Sequence, residues 1–184
     1  MAVIKHQKVP SSIIPVFKQS GIIIKTFKTA AAFEREMNKF LAGNNVLHLS
    51  TTKNDIPRTT PLEYRLCDGF TFYILSEGGG KFNNLKDNKN VSFSIAAPYR
   101  PEEDFWGARG LQAWGKARVY SKQTDPRRFE RALKRMKVLD ALKLMGVTEL
   151  PPQFNYRVIE IAPDRMTYSA VRDGVFKVTW QRRG

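Results

Sequence analysis

Apolar and polar residues alternate as in half-buried strands along six stretches of this chain. These are Val46–Thr52, Arg58–Leu66, Phe70–Leu75, Val91–Ala97, Gly110–Ser121 and Tyr156–Ile161, the last resuming at Arg165–Ala170 after Pro163. In the second, Leu62, Tyr64 and Leu66 alternate with Glu63 and Arg65; in the fifth, Leu111, Ala113, Gly115, Ala117 and Val119 face away from Gln112, Trp114, Lys116, Arg118 and Tyr120. Lys53–Pro57 connects the first two stretches, and Asp68-Gly69 is a hairpin turn signal between the next two.

Helical spacing occurs in three places. Thr29 is placed to cap a helix over Ala30–Leu41 with Phe33, Met37, Phe40 and Leu41 on its buried stripe and Gly43 at its end. A short segment opens at Lys81 with Phe82 and Leu85 on one side. Asp125-Pro126 pairs a capping side chain with proline at the first helical position. The helix it opens buries Phe129, Leu133, Met136, Val138 or Leu139, and Leu142, and closes at Gly146. Residues 1–28, with short apolar runs at Ile13–Phe17 and Gly21–Phe27, read as an extended N-terminal arm, and Val175–Trp180 as an edge strand.

Strands in hairpin succession, with helices at the ends rather than between them, argue for an antiparallel sheet and against a Rossmann alternation. Closure into a small barrel covers such a sheet economically. The expected fold is therefore mainly β, an α+β antiparallel six-stranded barrel with flanking helices. The expected organisation is an arm over residues 1–28 and a single domain over 29–184.

Charge changes this picture more than composition does. The 184 residues carry a net charge of +14, which favours anionic partners. Much of it lies in Arg127, Arg128, Arg131, Lys134, Arg135, Lys137 and Lys143, which avoid the apolar face of their helix and read as a solvated surface. No helix-turn-helix, zinc or RNA-binding signature accompanies that charge, so nucleic acid is not the expected partner. Cys67 is the single cysteine, which excludes an internal disulfide and a multi-cysteine metal site. No apolar run reaches the length of a membrane span, and Met1–Gln19 lacks the apolar core of a leader. A cytoplasmic protein without a membrane partner is expected.

The stretch Ser76-Glu-Gly-Gly-Gly-Lys-Phe-Asn-Asn-Leu-Lys-Asp-Asn-Lys-Asn-Val91 concentrates the candidate chemistry. Gly78, Gly79 and Gly80 permit a close approach by a ligand, and Lys81 follows them at a helix start, a combination suited to phosphate or to a plain surface loop. Phe82 after Lys81 rules out a Walker A loop. His48 sits on an apolar strand and reads as a hydrogen-bonded core histidine, and Cys67 has no visible activating partner.

The order of Val46-Leu-His-Leu-Ser-Thr-Thr52, Arg58-Thr-Thr-Pro-Leu62, Asp68-Gly69, Lys81-Phe-Asn-Asn-Leu-Lys-Asp-Asn-Lys-Asn-Val91 and Gln112-Ala-Trp-Gly-Lys-Ala117 resembles the pyridoxamine 5′-phosphate oxidase-like family of flavin-binding split barrels. The resemblance spans about residues 30–122, with 156–170 similar to the closing strand. It implies a homodimer of split barrels with FMN as cofactor in the dimer interface. It further implies that Lys81, with Ser76 and Gly80 just before it and Arg58, Thr59 and Thr60 on the strand after the proline, holds the FMN phosphate. Gln112 and Trp114 lie on the strand face expected beside the flavin. No catalytic side chain is singled out, because a flavin carries its own redox chemistry.

Two departures bear on the substrate. The oxidase's Ser-Arg-Lys is Gly79-Gly80-Lys81 here, and Trp180-Gln-Arg-Arg-Gly184 does not match its C-terminal substrate motif. The resemblance therefore implies an FMN-dependent oxidoreductase with a different small-molecule substrate. The alternatives are a flavin-binding or electron-transfer protein without turnover, a haem-binding split barrel, and a basic nucleic-acid-binding domain.

Overall fold

The computed structural model describes residues 2–67 and 69–183. Nine strands are present among them: β1 (Ala2–His6), β2 (Val46–Lys53), β3 (Ile56–Glu63), β4 (Arg65–Cys67), β5 (Thr71–Ser76), β6 (Asn90–Ala96), β7 (Arg109–Ser121), β8 (Arg157–Ala170) and β9 (Val175–Arg182). The helices are α1 (Ile14–Gln19), α2 (Ala30–Ala42), α3 (Lys81–Asp87), α4 (Pro126–Arg135) and α5 (Val138–Lys143). The strands run in the order β1-β9-β8-β7-β6-β2-β3, and β5 pairs with both β4 and β8. The pairings β1–β9, β4–β5, β5–β8 and β8–β9 are antiparallel. The fold is the expected antiparallel split barrel of the α+β class.

Two compact units divide the chain, one of Met1–Leu47, Phe93–Trp114 and Asp164–Gly184, the other of His48–Ser92 and Gly115–Pro163. In the first, α2 is built as its pattern requires. The Thr29 side chain accepts a hydrogen bond from the Ala32 N–H at 3.2 Å, and Phe33, Met37, Phe40 and Leu41 are buried. Phe40 packs at 5.0 Å, ring centre to ring centre, on Tyr168, and the Trp180 indole donates to Glu34 at 2.7 Å. Gly43 stands at the C-cap with φ −91°, so the helix ends without a left-handed residue.

In the second unit, α4 lays Phe129, Ala132, Leu133 and Met136 on Tyr73, Tyr120 and Val158. The Asp125 carboxylate caps it by accepting from the Arg128 N–H at 3.0 Å. The β2–β3 hairpin turns through Asn54 and Asp55, both at positive φ (51° and 60°), as a tight two-residue turn requires.

Several expectations are corrected. The N-terminal segment is not simply extended: β1 pairs with β9 and α1 forms with Pro15 in its first turn, where a missing N–H costs nothing. Consequently β9 is flanked by β1 and β8, and is not an edge. The stretch Arg58–Leu66 is split at Tyr64 into β3 and β4, and β8 continues through Pro163. The first half of β8 pairs with β5 and the second with β9, so the residue lacking an N–H falls where the strand changes partner. The added β1 and the split of Arg58–Leu66 account for nine strands where six alternating stretches and one edge strand were read.

The helix expected to run to Gly146 breaks at Lys137, whose φ of 54° is left-handed, leaving Leu144 90% exposed beyond α5. Tyr120, read as outward-facing, is buried because α4 covers it, and its hydroxyl donates to Glu160 at 2.8 Å. His48 is exposed, since Leu47, Leu49 and Thr51 take the buried face of β2, so it is not a core histidine. In the expected Asp68-Gly69 turn, Asp68 lies outside the described residues, and Gly69 has the left-handed φ of 73°.

Candidate functional site

Strand β5 ends at Ser76, and Glu77 to Gly80 carry the chain to α3. Gly79 has φ 106°, a conformation that side-chain-bearing residues rarely adopt. Phe82 and Leu85 anchor α3 in the core of its unit, and the Asn84 amide donates to the buried Thr51 hydroxyl at 3.1 Å, tying the helix to β2. The N–H groups of Phe82 and Asn83 are taken by the carbonyls of Gly79 and Gly80, both at 3.1 Å.

This local fold draws Lys81 inward. Its residue is 5% exposed, its ammonium donates to the Gly78 carbonyl, and it stands 4.9 Å from the centre of the Phe82 ring. The Arg157 guanidinium lies 4.6 Å from the same ring centre. From β3 comes Arg58, which packs so closely on Gly80 that a Cβ there would stand 2.9 Å from its Cζ and Nε. Arg58 and Lys81 thus stand against the glycine turn, and Arg157 lies beside Phe82 at the start of α3. Among the described residues none of the three forms an ion pair.

The electrostatic consequence is visible in Lys81. Burial, foremost, and then the Arg58 charge hold its ammonium pKa below the usual lysine value; Arg157 adds to this, while Glu77 acts in the opposite sense. Like charges gathered at a half-buried place repel, and an anion entering among them relieves that repulsion while accepting charge-assisted hydrogen bonds. Beside the turn is a hollow of about 420 Å³ lined by Lys53, Arg58, Gly80, Asn83, Asn84 and Lys86, with no carboxylate in its wall. The arrangement is chemically equipped to bind a phosphoryl group. Among the described residues no cluster of His, Cys, Asp or Glu is arranged to hold a metal ion.

Of the residues singled out from the sequence, Arg58, Gly80 and Lys81 come together here. Thr60 is half-buried in β3, two residues along from Arg58. Thr59 points the other way, its hydroxyl 3.2 Å from that of Ser50. Ser76 closes β5 directly opposite Arg157. Gln112 and Trp114 belong to the other unit, where Gln112 is exposed and the half-buried Trp114 ring carries the Arg165 guanidinium at 4.2 Å. Arg157 was missed. The signal for it is the strand pairing itself, because the residue facing the last position of β5 must also face the glycine turn.

The family model for pyridoxamine 5′-phosphate oxidase matches residues 33–170. The chain belongs to this family. Among solved structures it is similar to a candidate pyridoxamine 5′-phosphate oxidase from Listeria innocua, with 20% identity over 74% of this chain and 97% of that one, and a TM-score of 0.56. It is also similar to a FAD-binding protein of Mesorhizobium loti (16% identity, 80% and 93% covered, TM-score 0.52). A third is the haem storage protein HutZ of Vibrio cholerae (16% identity, 71% and 89% covered, TM-score 0.55). At these identities the likeness is one of fold alone, and the neighbours are described as binding FAD in one case and storing haem in another. No curated protein matches significantly. No helix among the described residues is long and apolar enough to cross a membrane.

Proposed function

We propose that this family member binds FMN through the Arg58–Lys81–Arg157 cluster and works as an FMN-dependent oxidoreductase on a substrate other than pyridoxamine 5′-phosphate. The observation that carries the reading is the gathering of three cations, none forming an ion pair among the described residues, near a turn whose Gly80 leaves room for the Arg58 guanidinium. When bound, FMN supplies the hydride or electron transfer. In this reading Lys81 and Arg58 neutralise the phosphate, and Arg157 takes the role of the cation that Gly80 replaces in the oxidase's Ser-Arg-Lys. Thr60 and Ser76 flank the cluster as neutral hydroxyl donors. The protein is further proposed to be a homodimer in the cytoplasm.

Titration of the purified protein with FMN, riboflavin and haemin tests the reading. FMN saturating with a flavin absorption band, and riboflavin binding at least about tenfold more weakly, is the expected result. A Soret band with no flavin uptake would overturn it in favour of haem. Oxidation of NADH or NADPH by the FMN-loaded protein separates turnover from passive binding, and light scattering reads the mass against 21.1 kDa for one chain.

A further inference from the structure

The first unit carries a second feature that the flavin reading does not use. Between α1 and the segment that follows it lies an open apolar hollow of about 540 Å³, walled by Val9, Ile14, Phe17, Ile22, Ile23 and Ile24. Phe17 and Ile22 are buried, but Ile14 is 52%, Val16 43% and Ile23 84% exposed. These apolar side chains are displayed by a fastened backbone. The Ile22 N–H bonds the Phe17 carbonyl and the Lys25 N–H bonds the Gly174 carbonyl, each at 2.8 Å, and Arg172 donates to the Ser20 carbonyl at 3.1 Å. At Gly174 a Cβ would collide with the Ile23 carbonyl, so close docking of this segment requires glycine there.

The chain segment that walls the hollow carries charge of one sign. No Asp or Glu precedes Glu34, and Lys5, Lys8, Lys18, Lys25 and Lys28 are all exposed. The nearby carboxylates are already engaged: Glu36 pairs with Lys25 at 3.2 Å, and Asp104 is held by Arg172. Exposed isoleucine and valine with a lysine rim form the chemistry of an interfacial anchor, in which hydrocarbon covers the apolar side chains and anionic headgroups meet the ammonium groups. Nucleic acid would satisfy the lysines and leave the isoleucines in water. A second copy docked about a two-fold axis would set one lysine rim against another.

We infer that this face docks peripherally on an anionic phospholipid bilayer, Ile14, Val16 and Ile23 entering the headgroup–acyl boundary and Lys8 and Lys18 meeting phosphate groups. The inference is independent of the flavin reading, because it uses none of the residues of the cation cluster.

Co-sedimentation with vesicles of phosphatidylcholine, alone or with about one third phosphatidylglycerol, tests it. Binding is expected to be about tenfold or more stronger on the anionic vesicles and to weaken in high salt. Ile14→Ser with Ile23→Ser, both at exposed positions, should reduce it about tenfold while circular dichroism stays unchanged. Lys8→Glu with Lys18→Glu should weaken it more than the charge-matched Arg127→Glu with Arg131→Glu on α4. Three results would each overturn the inference. They are no preference for anionic vesicles, an isoleucine variant or an α4 variant that contradicts these rankings, and a fall in solution mass on replacing the isoleucines, which would make the face a contact between copies.

Discussion

Replacing Lys81 by methionine should move ligand affinity and stability in different ways. If the ammonium meets the FMN phosphate, the loss removes a charge-assisted contact typically worth about 1.5–3 kcal/mol, hence roughly 10- to 100-fold in affinity. Stability should respond little. The 5% exposed side chain is exchanged for an apolar one of similar length. One hydrogen bond to Gly78 is lost, at a typical cost of about 1 kcal/mol. Against that, burial, Arg58 and Arg157 hold the folded pKa of Lys81 below its unfolded value, so the protonated lysine disfavours folding at every pH below that lowered pKa. Removing it returns that penalty, and unfolding by urea at neutral pH should differ from wild type by no more than about 1 kcal/mol. FMN and riboflavin titrations complete the assay, and only FMN should weaken. Wild-type FMN affinity in Lys81→Met, or an equal loss for riboflavin, would place the phosphate elsewhere; a loss of several kcal/mol of stability would make Lys81 a structural residue.

Three further outcomes are expected. Gly80→Ala should push the flexible end of Arg58 away from the turn; its effect on FMN affinity should therefore be strongly non-additive with Arg58→Ala in a double-mutant cycle. Affinity for FMN should rise as the phosphate loses its second proton near pH 6 and fall again as Lys81 deprotonates, at a pH below the ordinary lysine range; the alkaline fall should disappear in Lys81→Arg and be missing for riboflavin. Lys137→Gly, at the left-handed break between α4 and α5, should raise stability by about 0.5–1 kcal/mol in denaturant titration.

The fold was readable where a local pattern and its tertiary environment agree. Thr29, the stripe Phe33–Met37–Phe40–Leu41 and Gly43 define α2 without reference to anything else in the chain, and the structure returns the same cap and the same buried face. Patterns failed where a neighbouring element decides. Tyr120 alternates onto the polar side of β7, yet α4 folds over it and makes that side interior. His48 follows the opposite logic. Its strand is apolar, but strict alternation gives the core to Leu47, Leu49 and Thr51 and leaves the histidine outside. The break at Lys137 had no glycine or proline to announce it.

The candidate site divides along the same line. Lys81 could be found because it follows a glycine turn at a helix start, and Arg58 because the family resemblance points to the strand after the proline. Arg157 lies 76 residues beyond Lys81 in the sequence, in a stretch with no motif of its own. It reaches the cluster only because β8 pairs with β5 in a register that sets Arg157 against Ser76. Register is a property of two strands together, and a single sequence records it only through turns that join neighbours; β5 and β8 are not neighbours in the chain. The same register brings Arg157 near a turn whose residue 80 carries no side chain. A glycine at position 80 removes a positive side chain but admits Arg58 from one strand, while the strand paired with β5 supplies the other guanidinium from across the sheet. The positive charge near the turn thus comes from three elements, β3, α3 and β8, of which the glycine motif records only one.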